Sequence, residues 1–287
     1  MVKRIKLGLI GNSISQSRAP FLHKMLGEIY GVEVSYDLHD PGTSDPVDFE
    51  SLLWNMRDSG YTGTNVTFPF KQLAVKFVSR PDAAVEEVGA TNTLIFAEAD
   101  IRATNTDYTG FILGYRSRRG SQPAGRTLML GAGGVGRAVA FGLFEVGATE
   151  LGIFDINTES STGLVDALKA RGYNAYVVMK ADLETQIDAA DGLVNCTPIG
   201  HYATPGNPVD EALFGSQSWA FDAVYVPIDT DFLRCAHSSG LEIVSGFDLF
   251  FYQGIEAFSA FSGIDVDPKI ALAQFKRAFD IKSDLFA

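Results

Sequence analysis

The sequence predicts a two-domain α/β protein whose C-terminal helices pack back on the first domain. Strand-like and helix-like segments alternate over residues 1–116 and again over residues 121–246, the pattern of a mostly parallel sheet in each half. A glycine-rich turn, Gly131-Ala132-Gly133-Gly134-Val135-Gly136, stands almost halfway along the chain between an apolar strand and a helix. The chain closes on two helical stretches, Phe247 to Phe261 and Pro268 to Ile281, and a helix as aromatic as the first cannot bury its surface alone. A length of 287 residues suffices for two cores, and 46% hydrophobic with 20% charged residues is a globular composition.

In the first domain, strand Ile5 to Ile10 is followed by a helix from Ala19 to Tyr30, strand Val34 to Leu38, and a helix near Val47 to Asp58. Asp45 is the expected N-cap of that helix, with Pro46 at its first position. Strand Gly63 to Thr67, two short helices between Lys71 and Val88, and a hairpin of Asn92 to Phe96 with Ile101 to Thr104 follow. The polar stretch Ser117 to Gly125, with two glycines and a proline, reads as the linker. Beyond it the expected strands are Thr127 to Leu130, Leu151 to Phe154, Ala175 to Val178, Gly192 to Asn195, Ala220 to Tyr225 and Glu242 to Val244.

Each glycine of the turn has a task in this setting. Gly131 permits the tight turn, Gly133 lets backbone approach a pyrophosphate, and Gly136 allows close packing of helix on strand. The helix that follows carries Val135, Val139, Leu143 and Val146 at helical spacing, and its N-terminus offers free N–H groups to an anion. The second strand ends in Asp155, 24 positions after Gly131, where a ribose-binding acid belongs. A carboxylate there accepts the ribose hydroxyls of NAD and repels the 2′-phosphate of NADP, and residues 156–159 hold no arginine to reverse the preference. Residues 121–246 are therefore expected to form a Rossmann-type dinucleotide-binding domain for NAD, with NADP as the alternative. Its cofactor contacts are Gly131, Ala132, Gly133, Gly134, Val135, Gly136 and Asp155.

A net charge of −12 and a pI near 4.7 argue against nucleic acid or an anionic membrane as partner. No signal peptide and no stretch of transmembrane length is evident, so a cytoplasmic enzyme is the simplest expectation. Cys196 and Cys235 read as buried thiols, and His23, His39, His201 and His237 have no metal spacing, so no metal is expected. Arg116, Arg118 and Arg119 read as a solvated helix C-terminus, and His201 as a surface loop residue.

Acid-base groups have to come from outside the nucleotide fold. Three polar clusters in the first domain fall at the carboxyl ends of predicted strands, the edge at which open α/β sheets bind ligands: Ser13 to Pro20, Gly63 to Lys71, and Asn105-Thr106-Asp107. With Gly89-Ala90-Thr91-Asn92-Thr93, Asn195-Cys196-Thr197-Pro198, Asp222 to Pro227 and Phe250 to Gln253, they resemble the shikimate dehydrogenase family in order and spacing over nearly the whole chain. Asp155 and the segment Asp222 to Thr230 look most like the NAD-using quinate/shikimate dehydrogenases; the NADP-using biosynthetic enzymes typically carry Asn-Arg-Thr where Asp155 stands.

The resemblance implies reversible hydride transfer between nicotinamide and the C3 hydroxyl or ketone of shikimate, quinate or a close analogue. It assigns Lys71 as the cationic donor at the reacting oxygen and Asp107 as its partner. Asn65, Thr67, Asn92 and Gln253 match residues near the ring hydroxyls, and Ser17 and Tyr225 those at the carboxylate. Thr197, Pro198, Val224 and Gly246 join the cofactor set. Residues 1–116, completed by 247–287, then form the substrate-binding domain, and a homodimer is one expectation for the assembly. One departure stands out: relatives usually present Ser-x-Ser-Pro or Ser-x-Thr-Pro, and this chain has Ser17-Arg18-Ala19-Pro20, one hydroxyl fewer. That departure leaves a non-catalytic ligand-sensing module as the rival reading.

Overall fold

The computed structural model describes residues 2–42, 45–97, 100–278 and 283–286. The chain divides into two compact units, Met1–Thr109 with Phe251–Ile281, and Gly110–Phe250 with Lys282–Ala287.

The first unit contains β1 (Lys3–Ile10), α1 (Ala19–Tyr30), β2 (Val32–His39), α2 (Pro46–Asp58), β3 (Gly63–Val66), β4 (Arg80–Pro81), α3 (Ala83–Val88), β5 (Thr93–Phe96) and β6 (Ile101–Thr104). Its sheet runs β2-β1-β3-β5-β6-β4, with β1 parallel to β2 and β3, and β5 antiparallel to β3 and β6. The expected hairpin is thus present inside a mixed sheet. A 3₁₀ turn, Leu73–Phe77, stands where the first of two short helices was expected. The boundaries of α1 match those read from the sequence because a proline opens its first turn and Gly31 closes it. One core cluster gathers Ile10, Phe49, Leu53, Val66, Phe70 and Leu94.

Two helices cross from unit to unit, α4 (Thr106–Arg119) and, near the end of the chain, α9 (Gly246–Ser262). Ser117 to Arg119 of the polar stretch therefore belong to α4. The last helix, α10 (Pro268–Ala278), is followed by residues outside the described set, where the end of the expected Pro268 to Ile281 helix falls. Phe258 of α9 lies against His23 and Tyr30 of α1, and Phe251 meets Phe275 of α10 edge-on at 5.4 Å. The C-terminal helices do complete the first unit, and their aromatic residues explain it. His23 is 2% exposed and stacked on Tyr36, and burial lowers its imidazole pKa to about 3, so it is neutral and part of the packing.

The second unit holds β7 (Gly125–Leu130), α5 (Gly134–Glu145), β8 (Ala148–Phe154), α6 (Thr158–Ala170), β9 (Ala175–Val177), α7 (Leu183–Asp188), β10 (Gly192–Asn195), β11 (Trp219–Asp222), α8 (Asp231–Ser238) and β12 (Glu242–Ser245). All six strands are parallel, in the order β12-β11-β10-β7-β8-β9. This is the doubly wound Rossmann order, and its winding reverses between β7 and β10. Every residue of β10 and β11 is buried, as expected of central strands covered on both faces.

Arg116 of the arginine run is half-exposed beside Glu145, as a solvated helix end would be, but Arg118 and Arg119 are tied down. Arg118 grips Asp248 with both Nε and Nη2 at 2.9–3.1 Å, and Arg119, 4% exposed, pairs with Glu242 at 2.7 Å over the rings of Tyr115 and Trp219. Their partners lie more than a hundred positions away, so local pattern alone leaves these side chains looking solvent-facing. Among the described residues no helix is long and apolar enough to cross a membrane.

Candidate active site

The family-like segments of the first unit are laced to one another at the start of α4. Asn105 caps that helix, its Oδ1 accepting from Tyr108 N while its Nδ2 donates to Ala90 O. Asn92 Oδ1 accepts from Thr106 N at 2.8 Å, and Asn92 Nδ2 donates to Thr106 Oγ1 at 2.9 Å. The next residue, Asp107, receives Lys71 Nζ at 2.6 Å, with side chains 10% and 15% exposed. Lys71 O in turn accepts from Thr91 N. Lys71, Asn92 and Asp107, far apart in sequence, are thus held by one network. Thr106 and Asn105 organise it; the sequence offered only their place inside the Asn-Thr-Asp triplet.

Counting donors separates the residues that have bonds to give. The Lys71 ammonium spends one of three hydrogens on Asp107, and Asn92 spends one of its two amide hydrogens on Thr106, so both keep donors for a ligand. Asn65 differs: its amide donates to Asn92 O and Thr93 Oγ1 while its Oδ1 accepts from Tyr36 OH at 2.9 Å. Its donors are committed to holding β3 against β5, and its side chain also bonds the buried His23, so Asn65 is engaged by the protein itself. Thr67 follows β3, its N bonded to Ile10 O. Ser17 lies between β1 and α1, where its Oγ accepts from Ala19 N at 3.3 Å and keeps its own hydrogen to donate. Gln253 belongs to the first unit through α9, whereas Tyr225 belongs to the second and stacks on Phe250 at 4.7 Å.

In the second unit the glycine turn joins β7 to α5. Gly131 has a φ of +94°, and a Cβ there would stand 2.7 Å from the Cys196 carbonyl carbon. A Cβ on Gly136 would stand 2.5 Å from Gly131 O. Both glycines are thus required by the protein's own packing. Gly133 is the exception: it is the N-cap of α5, has no side-chain cap, and a Cβ there would meet nothing within 4 Å. A glycine that internal packing does not demand, at an uncapped helix N-terminus, fits close approach of a phosphate. Asp155 accepts from Ala132 N at 2.6 Å through one oxygen and from Asn157 N at 2.7 Å through the other. Each oxygen retains a lone pair for a ribose hydroxyl.

The loop after β10 closes over the same sheet edge. Thr197 turns its hydroxyl inward to Asn195 Oδ1 at 2.6 Å, Pro198 follows it, and the backbone between Cys196 and Thr197 is what Gly131 packs against. Gly246 packs against the Ala223-Val224 backbone, so those two expected cofactor positions also meet. Beneath them Asp222 is fully buried and receives Asn195 Nδ2, Val224 N and Thr230 Oγ1 at 2.6–2.9 Å. Burial raises its carboxyl to about 7 against the pull of those donors. This tie of β10, β11 and α8 went unread in the sequence, although Asp222 and Thr230 stand in one of the matching segments. His201 is exposed and accepts from Ala203 N at 3.1 Å, as a loop residue does. Among the described residues no cluster of three or more His, Cys, Asp or Glu has metal-binding geometry.

These roles predict opposite outcomes for two similar substitutions. Gly131→Ala is expected to destabilise the chain by at least ~2 kcal/mol, because both φ and the Cys196 backbone oppose it. Gly133→Ala is expected to leave the thermal midpoint almost unchanged and to weaken NAD binding by ~10-fold or more, since the methyl occupies space where phosphate approaches. Thermal unfolding and NAD titration of the two variants check this; equal midpoints would refute the division of roles.

A Rossmann-type unit with this cradle, together with an α/β unit holding a partly buried lysine-carboxylate pair, defines a dinucleotide-binding protein of the dehydrogenase class. Residues 9–94 match the family model described as the shikimate dehydrogenase substrate binding domain. The chain is 34% identical over 277 residues to a quinate/shikimate dehydrogenase (NAD(+)) of Corynebacterium efficiens, covering 94% of this chain and 97% of the other. It is 33% identical over 274 residues to a shikimate dehydrogenase (NADP(+)) of Pseudarthrobacter chlorophenolicus, covering 94% and 93%. The solved structure of quinate dehydrogenase from Corynebacterium glutamicum in complex with NAD matches with a TM-score of 0.89 at 31% identity, over 96% of this chain and 99% of that one. The chain belongs to the shikimate dehydrogenase family.

Proposed function

We propose that the protein catalyses NAD-dependent, reversible oxidation of the C3 hydroxyl of quinate, shikimate or a close analogue. The observation that carries the reading is the Lys71–Asp107 pair, 15% and 10% exposed, held at the start of α4 with an ammonium that still has two hydrogens to give. As a ring ketone is reduced, negative charge grows on its oxygen; an ammonium beside it stabilises that charge and delivers the proton. Asp107 holds the ammonium in place, and in the oxidative direction the hydroxyl proton returns to the Lys71 amine. Asn92 donates its remaining amide hydrogen to a ring hydroxyl. NAD, when bound, supplies the hydride acceptor. Asp155 favours it over NADP, because a carboxylate that accepts ribose hydroxyls repels a 2′-phosphate.

The test is isotopic. With quinate or shikimate deuterated at C3, the reaction should place the deuterium on the nicotinamide ring, read by mass spectrometry of the reduced cofactor. Reduced cofactor without deuterium would rule out transfer from that carbon.

Ala19 limits carboxylate binding under this reading. Ser17 keeps one hydroxyl hydrogen to donate, and a serine at position 19 would add a second. A hydrogen bond to a charged group contributes roughly 1.5–3 kcal/mol, so Ala19→Ser is expected to lower the KM for quinate or shikimate by about 10-fold. A KM unchanged or raised for both acids would show that the natural ligand makes no use of that position.

A further inference from the structure

A solvent-open cavity of about 410 Å³ lies in the first unit where β4 and β6 meet α9. Its size is that of a small-molecule pocket. Arg80, Asp82, Arg102, Thr104, Glu256 and Ser259 line it over an apolar patch that includes Ile95. Arg80 and Arg102 are direct partners across the β4–β6 pairing, an arrangement in which like charges repel. Asp100 answers Arg80 at 2.8 Å. Arg102 has no ion pair or side-chain hydrogen bond among the described residues, and neither has the half-buried Glu256. The two share one cavity without pairing to each other. Burial and the neighbouring Asp265 both push the Glu256 carboxyl above its usual range.

This charge pattern selects a ligand class. Arg80 is answered by Asp100, and Asp82 caps α3 by accepting from Val85 N, which leaves Arg102 and Glu256 as the unanswered charges. A lone cation drawn to Glu256 would be repelled by Arg102, and a lone anion drawn to Arg102 would be repelled by Glu256. We infer that the cavity binds an α-amino acid, its carboxylate on Arg102 and its ammonium on Glu256. A guanidinium fork suits a carboxylate, and the Thr104 and Ser259 hydroxyls supply neutral contacts between the charges. Thr106 also lines the cavity, and its Oγ1 is the acceptor for Asn92 Nδ2. A ligand pressed against Thr106 therefore bears on Asn92; this coupling, unlike the binding itself, rests on Asn92 holding substrate.

The standard L-α-amino acids, each at ~10 mM, are screened by thermal unfolding of the full chain with no nucleotide or substrate, and any hit is titrated by calorimetry. At least one is expected to raise the midpoint by about 2 °C or more. Arg102→Gln and Glu256→Gln should each weaken its binding at least ~10-fold, and the corresponding amine and deaminated acid should not bind. No hit, undiminished binding by both variants, or equal binding of the amine or the acid would overturn the assignment. In the wild type a saturating amino acid is also expected to change the KM for quinate or shikimate by about 3-fold, with no change in the two variants. An unchanged wild-type KM would overturn the coupling. Because the binding measurements use no turnover, their failure is distinct from failure of the dehydrogenase reading.

Discussion

Replacing Lys71 by alanine is expected to lower the turnover number by at least ~100-fold, the scale of a lost general acid. The ammonium is held 2.6 Å from Asp107, with 15% and 10% of the two side chains exposed, so water reaches the pair only in part and supplies a poor substitute donor. The fold is expected to survive. Asp107 loses its partner, yet it lies in the first turn of α4, where helix N–H groups and the dipole favour a carboxylate. The measurement is kcat beside a thermal unfolding curve. Turnover within a few-fold of the wild type would remove Lys71 from the chemistry, and loss of cooperative unfolding would mean that the pair is chiefly structural.

Cofactor choice is expected to turn on Asp155. Asp155→Ala should lower kcat/KM with NAD by ~10-fold to ~100-fold, since charge-assisted bonds to the ribose are lost, each contributing roughly 1.5–3 kcal/mol. With NADP the loss should be smaller, because repulsion of the 2′-phosphate is removed at the same time. The ratio of the two kcat/KM values is therefore the informative quantity, and a fall of at least ~10-fold in NAD preference is expected. Asp155 also accepts backbone bonds from Ala132 and Asn157, so loosening of the glycine turn would depress both cofactors together. An unchanged ratio would show that the carboxylate orders the turn without choosing the cofactor.

The parts of this molecule legible in its sequence are those written in local pattern. The ends of α1 follow from Pro20 and Gly31, and β10 spans Gly192 to Asn195 as its apolar run implies. The glycine turn and Asp155 identified the nucleotide unit because strand, turn, helix and acid occur at fixed spacing. What local pattern does not carry is long-range pairing. Arg118 and Arg119 look like a charged helix end, but their partners, Asp248 and Glu242, are 130 and 123 positions away. The strand β4 is only Arg80 and Pro81, too short for periodicity to show, and its pairing with β6 is what sets Arg80 opposite Arg102. The family-like motifs named Asn65 and Asn92 alike; only the hydrogen-bond network shows that Asn65 spends its donors on the sheet while Asn92 keeps one.

The most direct test of the central claim is the initial rate of reduced-cofactor formation, followed by absorbance, with quinate and shikimate each offered NAD and NADP. The account predicts turnover with at least one of the two acids, and a kcat/KM with NAD at least ~10-fold above that with NADP. Higher kcat/KM with NADP, or no turnover of either acid while NAD still binds, would contradict it.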